Sequence, residues 1–403
     1  MGLEVRGGRP DADGAVMLTA LAIANYRSLR EVIAPLGALN IVTGPNGSGK
    51  SSVYRALRLL AQTVRGGVIG SLAREGGLPS TLWAGPERFS HGMLTGDMPV
   101  QGTRRSEPVS LRLGFASDQF SYAIDLGLPT TTETAFALDP VIKRECIWSG
   151  PLLRPSALLV DRQGASIRAR DDRGEWHTIP QPVATFDSMM TEFSDPRSAP
   201  EMLAVREQIR SCRFYDHFRT DSESPVRLPQ IGTHTPVLSD DGADLAAALQ
   251  TIREIGDPVA LDAAIDDAFP GSSISVANLE GRFEVTMRQH GLLRPLKGAE
   301  LSDGTLRYLL LAAALLTPRP PDLLVLNEPE TSLHPDLLPA LARLIALAAR
   351  HSQVVVVSHA ARLIAALERE DGRHSIVLEK QLGATRIVGA DDLDMPPWKW
   401  PGR

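Results

Sequence analysis

Four short stretches hold residues able to do chemistry on a phosphate. The stretch GPNGSGKSS (Gly44, Pro45, Asn46, Gly47, Ser48, Gly49, Lys50, Ser51 and Ser52) carries its glycines, lysine and serine at the eight-residue phosphate-loop spacing. Glycines let successive backbone N–H groups converge on a β-phosphate, and a helix starting near Lys50 adds its positive dipole end. The Lys50 ammonium would bridge the β- and γ-phosphates, and the Ser51 hydroxyl would ligate Mg²⁺. ATP is the nucleotide indicated, because the chain has no guanine-reading NKxD motif. Further on, LSDGT sets Ser302 and Gly304 just before a helix, which makes a second anion-binding N-terminus. DLLVLNEPETSLHP ends an apolar run in Asn327 and Glu328, and VVVVSHA puts His359 directly after another. Taken alone, LSDGT reads equally as an ordinary N-cap and His359 as a packing or capping histidine.

The elements around these stretches are those an α/β sheet uses to position ligands. LTALAIANYRSL and ALNIVTG read as strands, and the second runs into the glycine loop. Val53, Ala56, Leu57 and Leu60 then share one face at helical spacing. Gly304 to Leu316 reads as helix, Leu323 to Leu326 as buried strand, Pro335 to Arg350 as helix and Gln353 to Val357 as buried strand. Buried apolar strands alternating with helices imply a mostly parallel central sheet flanked by helices. Between the two halves, ALLVDRQGASIRARDDRGEWHTI reads as three strands joined by DRQG and DDRG turns. EMLAVREQIRSC and GADLAAALQTIREI read as helices. The expected division is a disordered tail at 1–16, the first half of an ATPase domain at 17–65 and a mixed α+β insertion at 66–270. The second half follows at 271–390, with an irregular tail at 391–403. A signal peptide ending near Ala24 is not expected, because it would remove the strand before the loop. The polar, glycine-rich stretch before Met17 reads instead as a tail, which makes Met17 a candidate natural start.

The order of these motifs resembles ABC-type P-loop ATPases, and within them the RecF/SMC-like and OLD-like AAA family predicted ATPases. LAIANYRSLREVIAPLGALNIVTGPNGSGKSS also resembles the RecF-like N-terminal segment. The likeness covers about Leu18 to Leu60 and Leu292 to Ile364. It implies an ATP-hydrolysing, nucleotide-sandwich homodimer, with each ATP between Gly44–Ser51 of one subunit and Ser302–Gly304 of the other. In that scheme Glu328 polarises the attacking water, His359 contacts the γ-phosphate, and Ser332 and its neighbours face the partner. The glutamine that usually joins the insertion to the γ-phosphate site stays open among Gln62, Gln101, Gln119 and Gln163.

Two positions depart from the family pattern. Asp303 stands where glycine is usual, and is expected to turn away from a trans phosphate and cap its helix. Asn327 stands where an aspartate usually contacts a magnesium-bound water. Its carbonyl can still accept that hydrogen bond, while one negative charge is lost. That charge is worth about 6–7 kcal/mol gross against Mg²⁺ at about 5 Å and an effective dielectric of about 20, and much less after solvation. Weakened metal affinity beside an intact Glu328 is therefore expected, with Asn327→Asp easing the magnesium requirement.

Composition narrows the setting. Among 403 residues, 43% are hydrophobic and 22% charged, as in a water-soluble globular chain, and the net charge of −6 excludes a generally basic nucleic-acid coat. Cys146 and Cys212 stand far apart, which fits a reducing compartment, and Tyr308 to Leu316 is too short to span a bilayer. A cytoplasmic protein without membrane contact is expected. DNA repair or maintenance is the first functional reading, since RecF- and SMC-like relatives act on DNA. Arg206, Arg210, Arg213, Arg219 and Arg227, with the aromatics of RFYDHFR, could form its surface, or an ordinary solvated face paired with Glu201, Glu207 and Asp216. The alternative is a slow ATP-dependent switch controlling a partner protein, for example in genome defence. A transporter subunit is disfavoured by the long, strand-rich separation of Lys50 from Leu301. An OLD-type nuclease in one chain is disfavoured by the short stretch after His359.

Overall fold

Three strands open the chain: β1 (Leu18–Tyr26), β2 (Leu29–Pro35) and β3 (Leu39–Thr43). Six follow: β4 (Leu111–Ser117), β5 (Phe120–Gly127), β6 (Val141–Ser149), β7 (Leu158–Gln163), β8 (Ser166–Arg170) and β9 (Trp176–Thr178). Then come β10 (Arg213–Tyr215), β11 (Gln230–Ile231), β12 (Ser273–Leu279), β13 (Arg282–Arg288) and β14 (Leu296–Lys297). The last four are β15 (Leu323–Asn327), β16 (Gln353–Val357), β17 (Arg373–Gln381) and β18 (Ala384–Ile387). The structure, a computed structural model, describes residues 17–102, 108–130, 134–171, 173–192, 199–389 and 395–402. The tail expected at 1–16 lies outside them, as do 391–394 and 403 of the second expected tail.

The expectation of a mostly parallel central sheet holds for only one of two large sheets. The six-stranded sheet, ordered β10-β15-β16-β3-β17-β18, is parallel except at its last pair. The larger sheet is eight-stranded, ordered β2-β1-β4-β5-β6-β7-β8-β9, and antiparallel throughout. Its first two strands come from before the phosphate loop and the rest from after it, so β1 pairs with both β2 and β4. β1 is buried along nearly its whole length, and a strand buried on both faces loses the alternation that marks an antiparallel one. A small antiparallel sheet of β11–β14 completes the strands.

The parallel sheet divides the core. Leu323, Val325, Val355, Val357 and Val42 pack with Val53, Leu57 and Leu60 of the helix Lys50–Thr63 and with the antiparallel sheet. Leu324, Leu326, Val354, Val356 and Ile41 pack on the other side with the helices Asp303–Leu315 and Leu338–Ala348. Strand residues of alternate parity face opposite layers, as the two-residue side-chain period requires. Buried Gln353 ties the sheets together: its amide exchanges hydrogen bonds with the N–H and C=O of Leu18 at 3.0 and 2.7 Å. Phe214, Tyr215 and Phe218 of RFYDHFR are core residues, 8%, 2% and 2% exposed. They cannot be the aromatic half of a nucleic-acid surface. Arg210 pairs with Glu207, Arg219 with Asp221 and Glu223, and Arg227 with Asp303, so much of that arginine series is matched within the chain.

Candidate active site

The phosphate loop joins β3 to the helix Lys50–Thr63. Gly44 and Gly49 have φ of 141° and 111°, where an L side chain is strained. A Cβ at Gly44 would lie 2.2 Å from the Leu378 carbonyl oxygen, and one at Gly49 would lie 2.3 Å from Thr385 Oγ1. Glycine at these two positions thus lets the loop lie against β17 and β18. The other side is open: Pro45, Asn46, Gly47 and Ser51 are exposed and Ser52 half-buried, while Ser48 and Gly49 are buried. No side chain caps the helix and its first turn holds no acid, which leaves its dipole available to an anion; of the first amides, that of Ser52 is bonded to Gly49 O at 3.0 Å. Lys50 is buried and its ammonium donates to the carbonyls of Gly44 and Pro45 at 2.7 and 3.1 Å. It is thereby held across the loop. Thr385, unforeseen in the sequence, braces the loop from behind: its hydroxyl donates to Ser48 O at 2.7 Å and bonds Ser28 Oγ at 2.8 Å.

The parallel order of the sheet sets β16 between β3 and β15, so the ends of all three strands open on one edge, where ligands of open α/β sheets bind. Glu328 leaves β15 with φ 47° and its N–H bonded to Val357 O at 2.8 Å. A glutamate in this left-handed conformation is held there by its surroundings. Its Oε1 lies 3.4 Å from His359 Nδ1. Behind both stands Glu330, whose role the sequence reading missed. Its Oε1 accepts from Ser358 Oγ at 2.6 Å and from the N–H groups of His359 and Ala360 at 3.2 Å, and it lies 3.6 Å from His359 Nδ1. The loop carrying His359 therefore hangs on Glu330. Asn327 donates through Nδ2 to Asp216 Oδ1 at 2.8 Å. Asp216 follows β10, the strand paired with β15, and none of the four candidate glutamines occupies that strand's end.

Ser302 caps the helix Asp303–Leu315 by accepting from Thr305 N–H at 3.2 Å. The expectation that Asp303 would be the cap is corrected. Its carboxylate instead meets Arg227 Nη2 at 2.5 Å, while Arg227 Nη1 donates to Leu301 O at 2.7 Å. Gly304 packs against the Ser332 carbonyl, 3.0 Å from where a Cβ would sit. Among the described residues, no hydrogen bond or ion pair joins Ser302–Gly304 to Gly44–Ser52.

The residues present fit a magnesium nucleotide. Two buried polar atoms at this edge, Asn327 Oδ1 and Glu330 Oε2, have no protein partner, and buried polar atoms require one. Among the described residues no three His, Cys, Asp or Glu side chains converge on a metal by themselves. That suits Mg²⁺, which takes few protein ligands and keeps phosphate oxygens and waters. Ser51 and Asn327 are the residues that would hold it, directly and through water.

A glycine loop after one parallel strand, an acidic turn after another and a histidine after the strand between them define an ABC-type P-loop ATPase of the SMC-like and OLD-like group. The model of the family described as "AAA domain, putative AbiEii toxin, Type IV TA system" matches residues 39–181 and 186–365. The chain belongs to that family. Over 44 residues it is 43% identical to an OLD nuclease of Thermus scotoductus, a stretch that is 11% of this chain and only 8% of that protein. A crystal structure of an SMC head bound to the C-terminal winged-helix domain of ScpA is similar at TM-score 0.50 and 13% identity, over 92% of this chain and 97% of that one. The SMC head domain from Thermotoga maritima is 15% identical over 93% of this chain and 99% of its own, with TM-score 0.43. Among the described residues no helix is long and apolar enough to cross a membrane.

Proposed function

We propose that the protein binds ATP with Mg²⁺ and hydrolyses it to ADP and phosphate, closing as a homodimer around two nucleotides. The observation that carries this reading is the shared edge formed by Lys50 and the loop amides, Glu328 and His359. Catalysis there would be positioning and electrostatics. Lys50 would exchange its loop carbonyls for β- and γ-phosphate oxygens, and the helix amides would hold the β-phosphate. Glu328 would orient the attacking water and accept its proton, with His359 fixed beside the γ-phosphate by Glu330. Bound Mg²⁺ supplies positive charge on the phosphate oxygens. Dimerisation is supported by the helix N-terminus at Ser302–Gly304, which among the described residues has no bond to its own phosphate loop and could serve a nucleotide held by a second copy.

The cellular task we propose is DNA repair or maintenance in the cytoplasm. It rests on the resemblance to RecF- and SMC-like ATPases; a groove lined by Arg65, Arg210 and Arg213 adds only partial support, since Asp240 lines it as well and Arg210 pairs with Glu207. The second reading, a slow ATP-dependent switch acting on a partner protein, is favoured by Asn327 and by a family description that names a toxin system. Steady-state ATP hydrolysis by wild type, Lys50→Ala and Glu328→Gln, with and without DNA over a salt series, tests both. Turnover lost in both variants and DNA stimulation that falls steeply with salt supports the first. Negligible turnover with tight ATP binding supports the second. Turnover unaffected by Lys50→Ala contradicts both.

A further inference from the structure

Asn327 lacks the charge its position usually provides, and the neighbouring strand brings one to it. The geometry points to Asp216 as the carboxylate of the magnesium shell: an Asp216–Asn327 pair, drawn from two strands, would do the work of a single aspartate. This rests on reading the edge as a magnesium–ATP site.

Register makes the pairing possible. β10 runs parallel to β15 with Arg213, Phe214 and Tyr215 opposite Leu324, Val325 and Leu326. Asp216 and Asn327 are thus the next residues on each strand. Chemistry fixes the amide's orientation. Asp216 Oδ1 can only accept when ionised, so the Asn327 end 2.8 Å from it is the N–H₂ end. That leaves Asn327 Oδ1 on the other side, buried and without a partner. A buried acceptor requires a donor, and a magnesium-bound water is a strong one.

Asp216 is also held in place by elements of both nucleotide-binding motifs. Arg307, on the helix that Ser302 caps, donates to the Asp216 carbonyl at 2.9 Å and to that of Phe218 at 3.3 Å. Phe214 packs edge-on against Tyr54 of the phosphate-loop helix, with ring centroids 6.1 Å apart. Burial, and after it the negative charge of Asp216, push the Tyr54 hydroxyl up to about 12. The field of Asp216 therefore reaches the helix that begins at Lys50. The charge sits beside both motifs without belonging to either.

Asn327→Asp would not simply restore a missing charge. It would set two carboxylates at hydrogen-bond distance, where one must take up a proton or move. The informative substitution is the swap, Asp216→Asn with Asn327→Asp, which keeps one carboxylate and one amide across the same bond. The test follows Mg²⁺-dependent binding of a fluorescent ATP analogue, with melting of the nucleotide-free protein, for wild type, Asp216→Asn, the swap and Lys50→Ala. Asp216→Asn is expected to raise the half-saturating Mg²⁺ concentration about tenfold, and the swap to return it to within about threefold of wild type. An unchanged magnesium response in Asp216→Asn overturns the inference. So does a swap that fails to recover both the native melt and the wild-type response. Failure of the underlying reading looks different: wild type would then bind no analogue, or Lys50→Ala would bind it equally well.

Discussion

Replacing Glu330 by alanine removes the carboxylate from which the His359 loop hangs. The side chain is 8% exposed, and one of its oxygens takes bonds from the Ser358 hydroxyl and from two consecutive backbone N–H groups. Hydrogen bonds to a charged group are worth about 1.5–3 kcal/mol each. Three donors share one oxygen here and water can reach the exposed loop, so a total loss of about 3–4 kcal/mol is expected. With an unfolding entropy of about 2.1 cal/mol/K per residue over 403 residues, that lowers Tm by about 4 °C. Hydrolysis should suffer more than stability, since a misplacement of about 1 Å at a reacting centre can cost about 100-fold in rate. Glu330→Gln keeps an acceptor and is expected to retain most of the stability. Thermal unfolding without nucleotide, run beside steady-state ATPase assays, reads both effects. Glu330→Ala with an unchanged melt and wild-type turnover would refute the reasoning, because the loop would then be holding itself.

Three further expectations concern groups away from that loop. Arg227→Ala frees Asp303 and the Leu301 carbonyl, and should weaken ATP-dependent dimerisation about tenfold. Adding Asp303→Asn should recover part of the loss, measured by the protein concentration at half-assembly; no recovery would make the role of Arg227 purely structural. Burial raises the Asp322 carboxyl above its ordinary value, so its folded pKa exceeds its unfolded one. Its contribution is then full at low pH and is lost as pH rises through the folded pKa. Asp322→Asn should therefore stabilise the protein at neutral pH and lose that advantage in acid, read by urea unfolding at both; an equal effect at both would contradict it. Burial pushes the Cys212 thiol up to about 12 and raises Cys146 as well. Neither should alkylate in the folded protein at mildly alkaline pH, as mass spectrometry would show, and rapid native labelling would contradict their burial.

What could be read in the sequence was local. The phosphate loop, the helix face of Val53, Ala56, Leu57 and Leu60, and the buried strands ending at Asn327 and Val357 each announce themselves within a few residues. The supports of the site depend on distant contacts. Asp216 meets Asn327 across 111 positions, Arg227 meets Asp303 across 76 and Thr385 meets Ser48 across 337. β10 is three residues long, too short to show a period, and it lies in an arginine-rich stretch whose aromatics looked solvent-facing. Glu330 is two residues from Glu328, yet only the fold turns it towards Ser358. The large antiparallel sheet was hidden for a related reason: its strands lie on both sides of the phosphate loop in sequence, and β1 is too thoroughly buried to alternate.

The most direct measurement is the oligomeric state of Glu328→Gln at saturating ATP and Mg²⁺, by sedimentation, beside wild type and Lys50→Ala. The expected result is a stable dimer for Glu328→Gln, a transient one for wild type that decays as ATP is consumed, and a monomer for Lys50→Ala. A Glu328→Gln protein that binds ATP and stays monomeric would contradict the nucleotide-sandwich reading.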